Sequence, residues 1–239
     1  MVYLRRIACS SLALSALTLF SLNSVAHVSV TSGPATAGGY YEVTLAVSHG
    51  CDGDDTYKVE VTIPGTFGRV RATASAFGPA TVETVTDGTT VSSYKVTWEK
   101  SGVHENDDIS YNIGFRTKLP DTPFATVYLP AVQYCRDDET QDESISAWVG
   151  TSGGHDHGST STELPAPALF IYPARYPGWN QYQVNEHVHD LSVFDDAEIV
   201  WFGTSAYSSN PNTRTMLEAD PDTSALEQIH PGSEIWVKY

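Results

Sequence analysis

The sequence predicts an all-β protein, a β-sandwich followed by a small, mainly β C-terminal region. Three observations predict it. Apolar and polar residues alternate in short runs, which is the period of a strand with one buried face. Turn-forming Gly, Pro, Asn and Asp residues punctuate those runs at spacings typical of sandwiches. The side chains are those of sheets: 13 Tyr, 8 Phe and 5 Trp against only 2 Met, with many Thr and Val. The chain has 239 residues, 41% hydrophobic and 18% charged, which is a composition able to pack a core rather than stay disordered.

Met1 to Ala26 reads as a secretory signal. Arg5 and Arg6 supply the positive start, Ile7 to Leu22 is mainly apolar, and Ser24-Val25-Ala26 offers small residues for cleavage. The apolar run is short for a membrane span and no basic stop-transfer cluster follows it, so no stable membrane insertion is expected after cleavage. The exported chain is then periplasmic or secreted and begins at His27.

The stretch 27–150 carries the sandwich. Tyr40 to Val47 alternates and is followed by the turn Gly50-Cys51-Asp52-Gly53-Asp54. Tyr57 to Ile63 alternates and stops at Pro64-Gly65. Thr81 to Thr86, Val91 to Trp98, Ile109 to Thr117 and Thr126 to Val132 continue the series, with Asp87-Gly88 as a hairpin turn. Residues 151–167, TSGGHDHGSTSTELPAP, read as a Gly/Ser/Pro linker. In the C-terminal region, 168–239, Leu169 to Tyr172, Glu198 to Phe202 and Glu234 to Tyr239 read as strands, and Thr213 to Glu218 and Ser224 to Ile229 as short helical turns. This region is near the lower size limit for independent folding, so docking on the sandwich is expected.

The formal charge of −16, from 13 basic and 29 acidic residues, argues against a nucleic-acid backbone or an anionic membrane as partner. No Ser-His-Asp signature, phosphate loop or Cys-x-x-Cys motif appears, and no catalytic residue is assigned. With Cys9 in the leader, the exported chain keeps Cys51 and Cys135. In an oxidising compartment their simplest state is one disulfide, the alternatives being two free thiols or a thiolate metal site.

An N-terminal histidine is an unusual ligand. Its α-amine and its own Nδ1 close a chelate ring on one ion, and two nitrogen donors suit Cu(II). The amine's ordinary pKa lies near 7.7–8.0, so a divalent metal displaces its proton at neutral pH.

His27-Val28-Ser29-Val30 after the leader, then Thr36-Ala37-Gly38, Ser48-His49-Gly50-Cys51-Asp52-Gly53 and Thr56 to Pro64, resembles the YcnI-type bacterial copper-binding domain. The resemblance continues through Phe115 to Pro120, Val127 to Cys135 and Ala147-Trp148, and covers 27–150 only. It implies an exported immunoglobulin-like sandwich that holds copper in a brace at its N-terminal His, with a Glu assisting and a Trp close to the metal. On that resemblance His27 is the brace, Trp148 is the tryptophan beside copper, and the Cys51–Cys135 bridge matches one branch of the family. It also implies a role in copper homeostasis, with a membrane copper transporter or another copper chaperone as partner.

The sequence departs from that pattern at the Glu, whose place falls on Gly114; Asn112, Asp107 and Asp108 are the nearby polar residues. His49, in a turn beside a half-cystine, is a second candidate ligand. A second histidine from the body of the protein, His49 or His104, would be needed for the alternative of a polysaccharide-attacking copper oxidase. Two histidine pairs lie elsewhere: His155-Asp156-His157 in the linker, and His187-Val188-His189, whose rings share a face if Gln183 to Leu191 is extended. The C-terminal aromatics, Tyr176, Trp179, Tyr182, Trp201, Phe202, Tyr207, Trp236 and Tyr239, read as core or as a carbohydrate platform. The competing function is therefore a cell-envelope or carbohydrate-binding adhesion module with no metal role.

Overall fold

A computed structural model describes residues 27–104, 107–151 and 163–239. The proposed leader, 1–26, and the His155-Asp156-His157 segment lie outside the described residues. The first strands in chain order are β1 (Val28–Val30), β2 (Ala35–Thr36), β3 (Tyr40–Val47), β4 (Asp55–Pro64), β5 (Gly68–Ala72), β6 (Ala80–Asp87) and β7 (Thr90–Glu99). They continue with β8 (Tyr111–Lys118), β9 (Thr126–Tyr128), β10 (Ala131–Arg136), β11 (Glu143–Gly150), β12 (Leu164–Pro165) and β13 (Ala168–Tyr172). Beyond these come β14 (Trp179–Gln183), β15 (Ile199–Phe202), β16 (Ser205–Tyr207), helix α1 (Pro211–Ala219), β17 (Ser224–Ala225) and β18 (Glu234–Lys238).

One sheet has the order β1-β3-β8-β5 and the facing sheet the order β12-β11-β10-β4-β7-β6. The chain crosses between them repeatedly, giving an all-β, immunoglobulin-like sandwich. The alternation read in the sequence puts Val43, Leu45 and Val47 of β3, Val59, Val61 and Ile63 of β4, and Ile113 and Phe115 of β8 into one core around Trp98 and Trp148. Asp87-Gly88 makes the β6–β7 turn, with Gly88 at φ +60°, a conformation that favours glycine.

Three expectations change. The run Thr126 to Val132 is two strands, because the chain changes partners at Leu129-Pro130. Leu129 donates its N–H to Pro167 (2.8 Å), while the Pro130 carbonyl accepts from Thr62 (2.8 Å). The sandwich also ends later than 150. Leu164–Pro165 pairs in parallel with β11, and β13 pairs with both β2 and β9, burying Leu169 and Ile171 in the first core. The linker composition of 151–167 thus conceals an edge strand, and the unit closes at Tyr172. Ser224 to Ile229 is extended rather than helical. Leu226 and Ile229, both buried, have helical spacing, but the N–H of Leu226 bonds Ala206 (2.9 Å) and Ile229 bridges to Val188.

The C-terminal region forms its own sheet, β14-β18-β15-β16-β17. Its core is built on Val184, Phe194, Val200, Ile229, Ile235 and Val237. Helix α1 spans the expected Thr213 to Glu218 and is capped by Asn210 with Pro211 in its first turn, but buries no residue. The two units are joined by Phe124, which leaves the β8–β9 loop of the sandwich at φ +66° and is fully buried in the second core. Its ring lies 5.7 Å from both Tyr182 and Phe194. The Thr126 N–H donates to Glu186 Oε2 nearby (3.0 Å).

Candidate functional site

His27 immediately precedes β1, an edge strand whose Val28 is buried and pairs with Val47. On the opposite sheet β11 lies next to the edge strand β12, with Trp148 opposite Ala131 on one side and Leu164 on the other. The imidazole of His27, itself exposed, stands against this second sheet. Its ring centroid is 4.8 Å from that of Trp148, at an interplanar angle of 41°. Trp148 is fully buried, and its indole N–H has no acceptor among the described residues. A buried donor without a partner costs about 1–3 kcal/mol, so this ring position is held at an energetic expense.

The register brings His49 to the same end of β3, but its imidazole has other partners. Nδ1 lies 2.9 Å from the Gly50 carbonyl and 3.7 Å from Asp107 Oδ2. Desolvation raises the Asp107 pKa above the ordinary carboxylate value, with a backbone hydrogen bond from Gly50 and the charge of His49 acting against it. The turn itself demands glycine at 50, where a Cβ would sit 1.7 Å from the Asp54 carbonyl oxygen. Cys51 and Cys135 are joined in a disulfide with a Cα–Cα distance of 5.7 Å, and the Gln133 amide donates to the His49 carbonyl (2.7 Å). The bridge therefore anchors the His49 turn to β10, the strand that also neighbours Trp148.

Gly114 lies between the inward-facing Ile113 and Phe115 and faces away from the core that holds Trp148. A Cβ there would meet the Val43 carbonyl at 2.6 Å. The position has no room for a Glu, and its direction would not carry one towards His27. Asn112 and Asp108 are exposed. His104 is tied through its backbone N–H to Asp55 Oδ2 (2.8 Å), beside the buried Lys100–Asp55 ion pair. Among the described residues no group of three or more His, Cys, Asp or Glu side chains is arranged to hold a metal. Of the candidate ligands, His27 is the one whose ring stands beside Trp148.

In the C-terminal unit, β14 ends at Gln183, and beyond it Val188 forms an isolated bridge with Ile229. His187 and His189 nonetheless share a face: their rings are stacked, with centroids 4.9 Å apart and planes 4° apart. A third ring, His230, stands 4.7 Å from His187 at 80°. The His187 pKa is lowered from the ordinary imidazole value, first by desolvation and then by His230 and His189. Sequence reading found the first two of these histidines but not the third, since only the bridge between Val188 and the distant Ile229 makes them neighbours. Aromatic residues divide between the two faces of this sheet. Tyr182 packs on the core, whereas Trp179 and Trp236 are 52% and 45% exposed.

Residues 27–171 match the family model described as "Domain of unknown function (DUF1775)". The chain belongs to that family. The matched region stops one residue before the end of β13, so it coincides with the sandwich as folded and leaves the C-terminal sheet outside. The DUF1775 domain is also similar to the crystal structure of an uncharacterized protein from Nocardia farcinica, described as having an immunoglobulin-like fold. The identity is 23% and the TM-score 0.45, over 61% of this chain and 98% of that one. No curated protein matches the chain.

Proposed function

We propose that the protein is an exported copper(II)-binding protein that carries the ion as cargo in copper trafficking or homeostasis. Cleavage after Ala26 frees the α-amine of His27, and the amine and Nδ1 grip one cupric ion together. The observation that carries the reading is the His27 ring seated against Trp148 at 4.8 Å. A terminal histidine with no role would be a solvated end; this one, though exposed, rests its ring against a buried indole. The resemblance of 27–150 to YcnI-type domains supports the same pair of residues. Gly114 in place of the family's Glu leaves the ion with fewer protein donors, which suits a site that hands its cargo to a transporter or another chaperone.

The test is the exported protein with its natural N-terminus, confirmed by N-terminal sequencing. One equivalent of Cu(II) is expected to bind and to quench indole fluorescence. One extra residue ahead of His27 removes tight binding, and Trp148→Phe removes most of the quenching. Unchanged affinity with the extra residue overturns the brace.

A second reading has its own observation. Trp201, Trp236 and Gln181 stand side by side across β15, β18 and β14, with Trp179 diagonally adjacent. They share the outer face, because Val200, Val237 and Ile235 occupy the inner one. Such a row of flat rings suits stacking on sugar rings in the cell envelope. Retention on insoluble polysaccharide by a His27→Ala variant, lost in Trp179→Ala/Trp236→Ala, would favour that adhesion role.

A further inference from the structure

We propose that Arg69, Arg71 and Arg116 form a binding site for a small phosphate-bearing anion on the outer face of the sandwich. The pairing of charges over the chain singles them out. Lys58, Lys95, Lys100, Arg136, Arg175 and Lys238 are each in an ion pair. Arg214 bonds the carbonyls of Ser208 and Ser209 instead. Among the described residues the other cations, Arg69, Arg71, Arg116 and Lys118, have no ion pair, in a chain with 29 acidic residues. These four lie together. Arg71 stands directly opposite Arg116, and Lys118 opposite Gly68, on the paired strands β5 and β8. Val70, Phe115 and Thr117 are buried, so the intervening Arg71, Arg116 and Lys118 face away from the core. Glu42 is opposite Arg116 on the β3 side but forms no ion pair with it.

Two features of this arrangement are unfavourable without an occupant. Like charges directly opposite each other across a sheet repel. The backbone also bulges here: Gly68 pairs with Lys118 and Arg71 with Arg116, so Arg69 and Val70 together face Thr117. Arg69 takes φ +56°, a conformation that glycine adopts more readily than arginine. The bulge brings a further guanidinium to the same cleft. That cleft encloses about 580 Å3, and Tyr40, Arg69, Arg71, Thr73 and Arg116 line it, with no acidic side chain among its lining residues. Guanidinium forks match the oxygens of phosphate two at a time, and a phosphate monoester carries nearly two charges at neutral pH. An anion between Arg71 and Arg116 turns their repulsion into a clamp. The formal charge of −16 repels polyanions and anionic surfaces, so the fitting ligand is compact. Tyr40, 67% exposed at the rim, offers a ring to the organic part of an ester. This site does not involve His27 and stands whether or not the chain carries copper.

The test uses the whole exported chain, metal-free, at about 0.15 M salt so that diffuse attraction is screened. The probes are glycerol 3-phosphate and inorganic phosphate, with citrate as a carboxylate comparison. Saturable binding of one equivalent of glycerol 3-phosphate is expected by calorimetry. Arg71→Gln/Arg116→Gln should weaken it at least ~10-fold, the loss of a charge-assisted hydrogen bond. The thermal midpoint of that variant without ligand should stay level or rise, since the opposed charges are gone, which separates lost binding from lost folding. In the unsubstituted chain the Nε–H NMR signals of Arg69, Arg71 and Arg116 should shift together on adding the probe. Failure of both phosphate probes to bind, unchanged affinity in the double variant, or tighter binding of citrate than of either phosphate overturns the proposal.

Discussion

The sandwich and the C-terminal sheet solve the same problem with different means. The sandwich packs two sheets on each other around Trp98 and Trp148 and adds a covalent bridge across a separation of 84 residues. The C-terminal unit has one sheet, no disulfide, and a core completed by a residue it does not own, Phe124. A small unit cannot bury enough apolar surface by itself, so it borrows. The difference teaches that the second unit depends on the first, whereas the first carries its own staple.

Four predictions would break or sharpen that contrast. Cys51→Ala/Cys135→Ala should cost about 4–5 kcal/mol by the loop-closure argument, lowering the denaturation midpoint of the whole molecule. If the sandwich were unaffected, the bridge would not be its staple. Phe124→Ala removes a buried ring and should cost about 3 kcal/mol. Its distinguishing mark is a split of the single thermal transition in two, the C-terminal unit melting first; one unsplit transition would show that the units are not joined there. Glu186→Gln, which keeps shape but weakens the charge-assisted bond from Thr126, should cost about 1 kcal/mol or less and lower the transition slightly without splitting it.

The smallest effect belongs to the outer face of the sandwich. Desolvation pushes the Glu60 pKa up, but hydrogen bonds from Lys95 and Tyr134 outweigh it and leave the carboxyl below its ordinary value. A depressed carboxylate contributes stability above its unfolded pKa and loses it as pH falls through the folded one. Glu60→Gln should therefore cost under about 1 kcal/mol at pH 7, since Lys95 is partly solvated, and the deficit should vanish in acid below the ordinary carboxylate range. Denaturant midpoints measured across pH 3–7 check this; a deficit that persists in acid would assign the effect to packing.

Much of the sandwich was legible because its strands are long and alternate cleanly. β3, β4, β7 and β8 bury the residues their patterns offered, and Asp87-Gly88 turns as its chemistry dictates. What was hidden was non-local. Pro130 marks a change of partner that depends on Thr62 and Pro167, far away in sequence. Leu164–Pro165 looked like linker because two residues carry no period at all. Leu226 and Ile229 imitated a helix by their spacing. Of the site, His27 and Trp148 were both named beforehand, but nothing in the sequence says that rings on two different sheets touch. His49 and Asp107 likewise became neighbours only through the β4 turn and the β8 approach.

The placement of β18 has a consequence for assembly. It is an interior strand, second in the order, with β14 on one flank and β15 on the other, yet it is the latest of the five in the chain. Until Glu234–Lys238 arrives, β14 has no partner and β15 pairs with β16 alone, and the Trp179 to Lys238 pairing must close a long loop before any ladder bond repays it. The outer aromatic row thus takes shape last, and until then β14 is an unpaired edge open to other strands.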